Sequence, residues 1–493
     1  MESGRVAELL ENKTILITGA TGFLAKVLVE KVMRSQPNVK KLYLVLRAEN
    51  AIAASQRLRD EVFSKDLFRV VRERWGTENF DSFINSKVIP VVGDVSSNNL
   101  GIEDSNLREE MWREIDFIIN SAATTRFDER YDVALGTNTF GPFNVINFAT
   151  RCVKVNMLLH VSTAYVCGER EGLLSEKSFY MGETLKGTTK LNVYAEKKIV
   201  EENLKQLNAQ NATEKTITST LKDLGMKRAK IHGWPNTYSF TKAMGEMVLG
   251  ECRENMSLII IRPPGISSTY KEPFPGWIEG LRTMDTVVIN YGKGKLKCFL
   301  GGSNTVLDMI PADMVVNTIL IAMVAHANQT QSIQIVYHVG SSLRNPLTLS
   351  NILKFTKCCF HTNPLINKNG KPIKVSKGKL LNSMAKFRIY MTARYALPLK
   401  GLHLVNVLSG QRYSDTYRTA NRKFSLLMRL VEIYRPYVLF KGIFDDTNTE
   451  KLRMGGREGS REVDPYNCDP TSFNWGDYMI QIHIPGLLKY VVK

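Results

Sequence analysis

Seven short apolar runs punctuate the first two-thirds of the chain, with longer amphipathic stretches between them. They are residues 13–19 (KTILITG), 41–46, 88–92, 117–120, 158–161, 258–261 and 335–339. Val, Ile and Leu dominate the runs, with little of the alternation that a half-exposed strand shows. Such runs predict strands covered on both faces, as in a parallel sheet. Between the first two, Phe23, Leu24, Val27, Leu28 and Val32 recur at helical spacing. The alternation predicts an α/β fold: a doubly wound parallel sheet of the Rossmann type. Two regions break the rhythm. Residues 178 to about 230 turn polar and helix-like, as an insertion ahead of the helix that holds Tyr238. Beyond about Leu343 the strand alternation stops. The chain therefore divides near residue 345 into 1–345 and a smaller, mainly helical 346–493.

Composition narrows the partners. At 493 residues, with 43% hydrophobic and 23% charged positions, the chain reads as a folded protein of about two domains. Its seven cysteines are odd in number, scattered and free of any CxxC pair. Neither a disulfide framework nor a metal site is expected, and a reducing compartment suits them. The first residues show no basic leader and no apolar signal core. No run of about 18 uncharged apolar residues predicts a transmembrane helix. The best stretch, 424–444, carries Arg429, Glu432, Arg435 and Lys441. Residues 351–430 hold sixteen Lys or Arg against one acid, Asp415, and so carry +15 of the net +18. A charge so concentrated predicts an anionic partner. No nucleic-acid recognition motif accompanies it.

The chemistry starts at Thr18-Gly-Ala-Thr-Gly-Phe-Leu-Ala25. Gly19 permits a tight turn, Gly22 lets backbone approach a pyrophosphate, and Ala25 allows close helix–strand contact. The following helix offers unpaired N–H groups to phosphate. Thr18, Gly19, Thr21, Gly22, Phe23 and Leu24 are the candidate cofactor contacts of this turn. Arg47 ends the second strand, where an acid would hold the ribose hydroxyls of NAD. An arginine there suits a 2′-phosphate and hence NADPH. Tyr238 and Lys242, in "YSFTK", stand one helical turn apart. That spacing alone also fits two neighbours on a helix face.

Order and spacing say more. TGATGFLA, the Gly93-Asp94-Val95 strand end, Asn120-Ser-Ala-Ala123, Asn138, "STAY" and YxxxK together resemble the extended short-chain dehydrogenase/reductase superfamily. "NSAATTRFDERYDVALGTNTFG", "GWPNTYSFTKAMGE", "EPFPGWIEG", "DMIPADMVVN" and "FKGIFDDTNTEKLR" are similar to alcohol-forming fatty acyl-CoA reductases of the plant type. The resemblance implies NADPH-dependent reduction of a long-chain acyl-CoA, through an aldehyde, to a primary alcohol. It implies Tyr238 as proton donor, Lys242 as the cation beside it and Thr163 as a second donor to the same oxygen, with Ser162 the neighbour most easily confused with it. Asp94 and Val95 would meet the adenine, Ala122 and Ala123 would line the cofactor, and Asn138 would support the active-site helix. The resemblance also implies a peripheral place on the cytosolic face of the endoplasmic reticulum. The aromatic, aliphatic and arginine mixture of Phe387–Leu397 suits such an interface. Pro264 departs from the family pattern, where Ser or Thr is more usual. The insertion is expected to cap the acyl tunnel. Cys167 offers an acyl-cysteine route, and His160 reads as structural. Other readings stay open: a nucleotide-sugar or sterol dehydrogenase, an aldehyde-forming reductase, or a non-catalytic lipid-binding protein.

Overall fold

The structure is a computed structural model that describes residues 2–187, 190–329, 331–376, 378–455 and 465–492. Seven strands form one sheet: β1 (Thr14–Thr18), β2 (Lys41–Leu46), β3 (Val88–Val92), β4 (Phe117–Asn120), β5 (Met157–Val161), β6 (Ser257–Arg262) and β7 (Gln334–His338). Their order is β3-β2-β1-β4-β5-β6-β7, and every pairing is parallel. The order reverses between β1 and β4, the switch point where such sheets bind ligands.

All seven expected runs are strands of this sheet. β1, β5 and β6 are buried at every position, because helices cover both faces. The pleat sends Ile15 and Ile17 into one core layer and Leu16 into the other. The first layer lies under α1 (Phe23–Ser35). The second lies under the helix Gly141–Ala149.

The insertion forms a helical hairpin, α2 (Val193–Ala209) and α3 (Glu214–His232). It is pinned by a buried carboxylate. Glu196 accepts hydrogen bonds from Tyr131 Oη at 2.8 Å and Arg228 Nε at 2.9 Å, and lies 3.2 Å from His232 Nε2. Burial works against its charge, but these three donors hold its pKa down at about 2. Helix α4 (Thr237–Cys252), which carries Tyr238 and Lys242, follows, and α5 (Ala312–His326) packs with α1 in the first layer.

The C-terminal part is helical, with α6 (Leu397–Leu408) and α7 (Ser414–Val438) at its centre. Its final residues do not build a separate core. Tyr466, Phe473, Trp475, Tyr478, Ile484 and Leu487 join the same cluster as β1 and α5. Tyr478 donates to Ser267 Oγ at 2.8 Å, and His483 Nε2 lies 3.0 Å from the Asp285 carboxylate. Among the described residues no helix is long and apolar enough to cross a membrane.

Candidate active site

The turn from β1 into α1 requires glycine at Gly19 twice over. Its φ is +72°, and a Cβ there would sit 2.8 Å from the backbone of Ala122. Gly22 precedes α1 without a side-chain cap, and the first turn of the helix holds no acid. The start of α1, residues Gly22 to Ala25, lines the cavity beside the switch point with its first N–H groups uncapped by a side chain, a fit for a dinucleotide pyrophosphate. Thr18 turns inward instead. Its hydroxyl donates to Asn120 Oδ1 at 2.7 Å and accepts the Ala122 N–H at 3.2 Å. Asn120 in turn contacts His160 Nδ1 at 3.1 Å. Burial, with the nearby Lys242 cation, pushes the His160 pKa well down, so this imidazole is neutral and joins β4 to β5.

Thr21 is half-buried, while Phe23 and Leu24 start α1 as buried residues that also face the cavity. Arg47 is exposed at the end of β2, and its carbonyl accepts from Arg57. The Asp94 carboxylate accepts the N–H and hydroxyl of Ser96 at 2.9 and 2.8 Å. Val95 is buried, its carbonyl held by Asn144 at 2.9 Å. Ala122 is half-buried and Ala123 exposed. The Asn138 amide clasps the N–H and C=O of Thr124, each at 3.0 Å, and donates to Thr241 Oγ1 at 3.1 Å. It ties the loop after β4 to α4.

Thr163, Tyr238 and Lys242 meet in one cavity of about 670 Å³. Asn236 caps α4 by accepting the Ser239 N–H at 3.0 Å, which sets where Tyr238 emerges. The Tyr238 phenol is raised to about 12 by burial, opposed by a hydrogen bond with Thr163 and by the Arg282 cation. It is a protonated donor at neutral pH. Lys242 is buried, and its Nζ donates to the Val161 carbonyl at 2.8 Å. Burial lowers its pKa to about 8, with Glu246 opposing. Ser162 bonds to Glu246, which also pairs with Arg262. Its hydroxyl is committed to that buried ion pair.

Pro264 lines the cavity between two anchors. The Pro263 carbonyl accepts the Ala164 N–H, and the Gly265 N–H reaches the Asp308 carbonyl, each at 3.1 Å. Cys167 lines a different cavity, with Arg170 and Phe179, and burial raises its pKa. It does not share the cavity of Thr163 and Tyr238.

The far wall comes from α7. Leu430, Ile433, Tyr434, Tyr437 and Val438 line the cavity from one helix face. Tyr437 stacks on Phe127 at 4.7 Å, and Phe127 lies 6.0 Å from the Tyr238 ring. Asn236 Nδ2 donates to Tyr437 Oη at 2.6 Å. Sequence reasoning missed this wall, although its i, i+3, i+4, i+7, i+8 spacing is the signal that could have found it. The expectation that the insertion caps the tunnel fails among the described residues: none between 178 and 230 lines this cavity. The Glu196 network commits the hairpin to the flank of the sheet domain beside Tyr131. Arg282 also escaped sequence reasoning. Its guanidinium lies 4.3 Å from the Phe23 ring centroid, and its buried Nε has no hydrogen-bond partner.

Comparison with known proteins places this geometry in context. A family model described as male sterility protein matches residues 17–319, and a second with the same description matches 394–493. The chain is 56% identical to "Fatty acyl-CoA reductase 1" of Arabidopsis thaliana, over the full length of both. It is 51% identical to "Alcohol-forming fatty acyl-CoA reductase" of Simmondsia chinensis, again over both full lengths. Among solved structures, the terminal R domain of the myxalamid PKS-NRPS pathway shares the fold, at TM-score 0.56 and 17% identity, over 97% of this chain and 90% of that one.

Proposed function

The chain belongs to the fatty acyl-CoA reductases, and on that premise we propose that it uses NADPH to reduce a long-chain or very-long-chain acyl-CoA, through the aldehyde, to a primary alcohol. The observation that carries this reading is the cavity shared by Thr163, Tyr238, Lys242 and the N-terminus of α1. Gly19, Gly22 and the first N–H groups of α1 would hold the pyrophosphate. Arg47 would take the 2′-phosphate, Asp94 and Val95 the adenine end, and Ala122, Ala123 and Lys242 the nicotinamide riboside. When bound, the reduced nicotinamide supplies hydride, first to the thioester carbon and then to the aldehyde carbon.

The protein's part is proton and charge management. Tyr238 gives its phenolic proton to the substrate carbonyl oxygen. Thr163 donates a hydrogen bond to the same oxygen, where negative charge develops. Lys242, one turn along α4, stabilises the phenolate until solvent returns the proton. The resulting hemithioacetal breaks its C–S bond and releases CoA as the thiol, leaving the aldehyde for the second reduction in the same cavity. No enzyme thiol takes part.

The reading includes the division at residue 345 into a catalytic part and a basic C-terminal part. It also includes a peripheral place on the cytosolic face of the endoplasmic reticulum, which the basic block and the scattered cysteines, free of any CxxC pair, support.

The test follows nicotinamide oxidation by purified protein with palmitoyl- or stearoyl-CoA in mild detergent and identifies the lipid formed. The expected result is fatty alcohol, two NADPH oxidised per acyl-CoA, and kcat lowered about 10²- to 10⁴-fold in Tyr238→Phe. Equal use of NADH would remove the role given to Arg47. Aldehyde as end product would change the product class. No oxidation with any chain length would leave the non-catalytic lipid-binding reading.

A further inference from the structure

Exposed apolar residues are not spread evenly over this molecule. Of the twenty large apolar side chains most exposed among the described residues, nine lie between Ile389 and Leu427. Leu408 is 78% exposed, Ile389 70% and Leu404 61%. Helix α6 reads LPLKGLHLVNVL, with Lys400 its single formal charge, yet only Asn406 is buried. Asn406 holds the turn into α7, accepting the Tyr413 N–H at 2.8 Å. The fold thus presents an apolar helix outward on a hairpin.

The same stretch carries six exposed cations, Arg394, Lys400, Arg412, Arg418, Arg422 and Lys423, against the single acid Asp415. Apolar side chains flanked by cations match an anionic lipid surface, where the chains enter the acyl boundary and the cations meet headgroups. At about 18 Å, α6 is too short to cross a hydrocarbon core of about 30 Å, so it lies within one interface.

Helix α7 connects this patch to the cavity. One face, with Phe424, Met428 and Val431, packs against Phe387 and Met391. Another runs from the exposed Leu426 and Leu427 to Leu430, Ile433, Tyr434 and Tyr437, the last four of which wall the cavity of Tyr238. The run from Leu426 to Tyr437 is about 16 Å long, unbroken by a charge on that face.

We propose that α6 and the first turns of α7 seat in an anionic bilayer surface, and that the Leu426–Tyr437 stripe leads the acyl chain from the bilayer to Tyr238. The second half rests on the acyl-CoA reading above; the first half does not.

The test is flotation of the full chain with vesicles of phosphatidylcholine, alone or mixed with phosphatidylserine. Wild type floats with the mixed vesicles. The double variant Leu404→Glu, Leu408→Glu floats about tenfold less. Arg422→Glu with Lys423→Glu, which keeps the apolar face, loses flotation on the mixed vesicles alone. Turnover of stearoyl-CoA in detergent is the same for wild type and for the Leu404→Glu, Leu408→Glu variant. With the substrate embedded in mixed vesicles, that variant falls about tenfold. Flotation unchanged in both variants, or absent in wild type, overturns the docking. A wild-type dimer that the leucine variant converts to monomer, with no vesicle binding by either, assigns the patch to a second copy of this chain instead. Flotation as expected but equal turnover from vesicles removes the acyl path. No turnover in either presentation, with flotation intact, removes the reductase reading and leaves the membrane surface standing.

Discussion

Lys242 carries its charge where burial disfavours it, and that has two consequences with opposite signs for activity and stability. Its pKa of about 8 lies below the ordinary 10.5. In the proposed mechanism this cation stabilises the Tyr238 phenolate, and it is lost as pH rises through about 8. The kcat/KM profile therefore falls on its alkaline side near that pH, and measurement of the profile checks it. For stability, the unfolded chain binds this proton more tightly, so the folded protein gains stability as pH rises from about 8 to 10.5. Lys242→Met is expected to be inactive yet more stable than wild type at pH 7, by up to about 3 kcal/mol. The difference vanishes above the ordinary lysine pKa, as urea melts at both pH values would reveal. Arg282 acts at the same scale. Its cation opposes the burial that raises Tyr238. Arg282→Gln should lower kcat about tenfold or more, with partial recovery in Arg282→Lys; an unchanged kcat would make it a packing residue only. The sequence named Tyr238 and Lys242 through the order and spacing of YxxxK with TGATGFLA, Asn138 and STAY, not through their one-turn separation alone. It left Ser162 beside Thr163, and here their hydrogen bonds divide them between Glu246 and Tyr238. Arg282 was illegible, standing in a loop 44 residues from Tyr238 with no periodicity to mark it.

At the scale of elements, α4 is positioned by close backbone contact as much as by its cap. A Cβ on Gly245 would meet the Asn138 carbonyl oxygen at 2.2 Å. Gly245→Ala must therefore push α4 away from the segment that holds Asn138. The expected cost is about 1–3 kcal/mol in urea unfolding, with a loss of activity beyond what stability explains, because Tyr238 moves with the helix. Wild-type activity and stability together would show that α4 has slack there. The strands were legible because parallel strands buried on both faces leave apolar runs of the right length. The insertion was legible as helices but not in its contacts. Polar faces of α2 and α3 say nothing of the Tyr131–Glu196–Arg228 cluster that decides where the hairpin lies. The wall from α7 was written in the sequence as an amphipathic face, but which cavity that face meets depends on a chain reversal that no local pattern encodes.

For the whole molecule, topology and folding divide the chain differently. The seven-stranded sheet ends at His338, and the proposed division near 345 follows that end, although the short strands Lys379–Leu381 and Gly442–Phe444 beyond it pair back with Cys298–Leu300 and Gly172–Leu174. The core crosses that boundary. Trp475, Tyr478, Ile484 and Leu487 are each at most 4% exposed and share one cluster with Ile15, Val316 and Tyr337. Four such side chains left in water would cost about 1.5–3 kcal/mol each, comparable in sum to the whole stability of an ordinary domain. Removal would also strip Ser267 and Ser268 of Tyr478 and leave Asp285 without His483, all of them buried. Residues 1–345 expressed alone are thus expected to be insoluble or to bind hydrophobic dye as a loosened core. A fragment ending at residue 464 should fail in the same way, although it keeps α6, α7 and the complete cavity wall. The full chain should unfold in one calorimetric transition, since the last strand of sheet and the last helices of the chain guard the same core. Two resolved transitions, or a soluble 1–345 that binds NADPH, would mean that the tail packs on a core already complete without it.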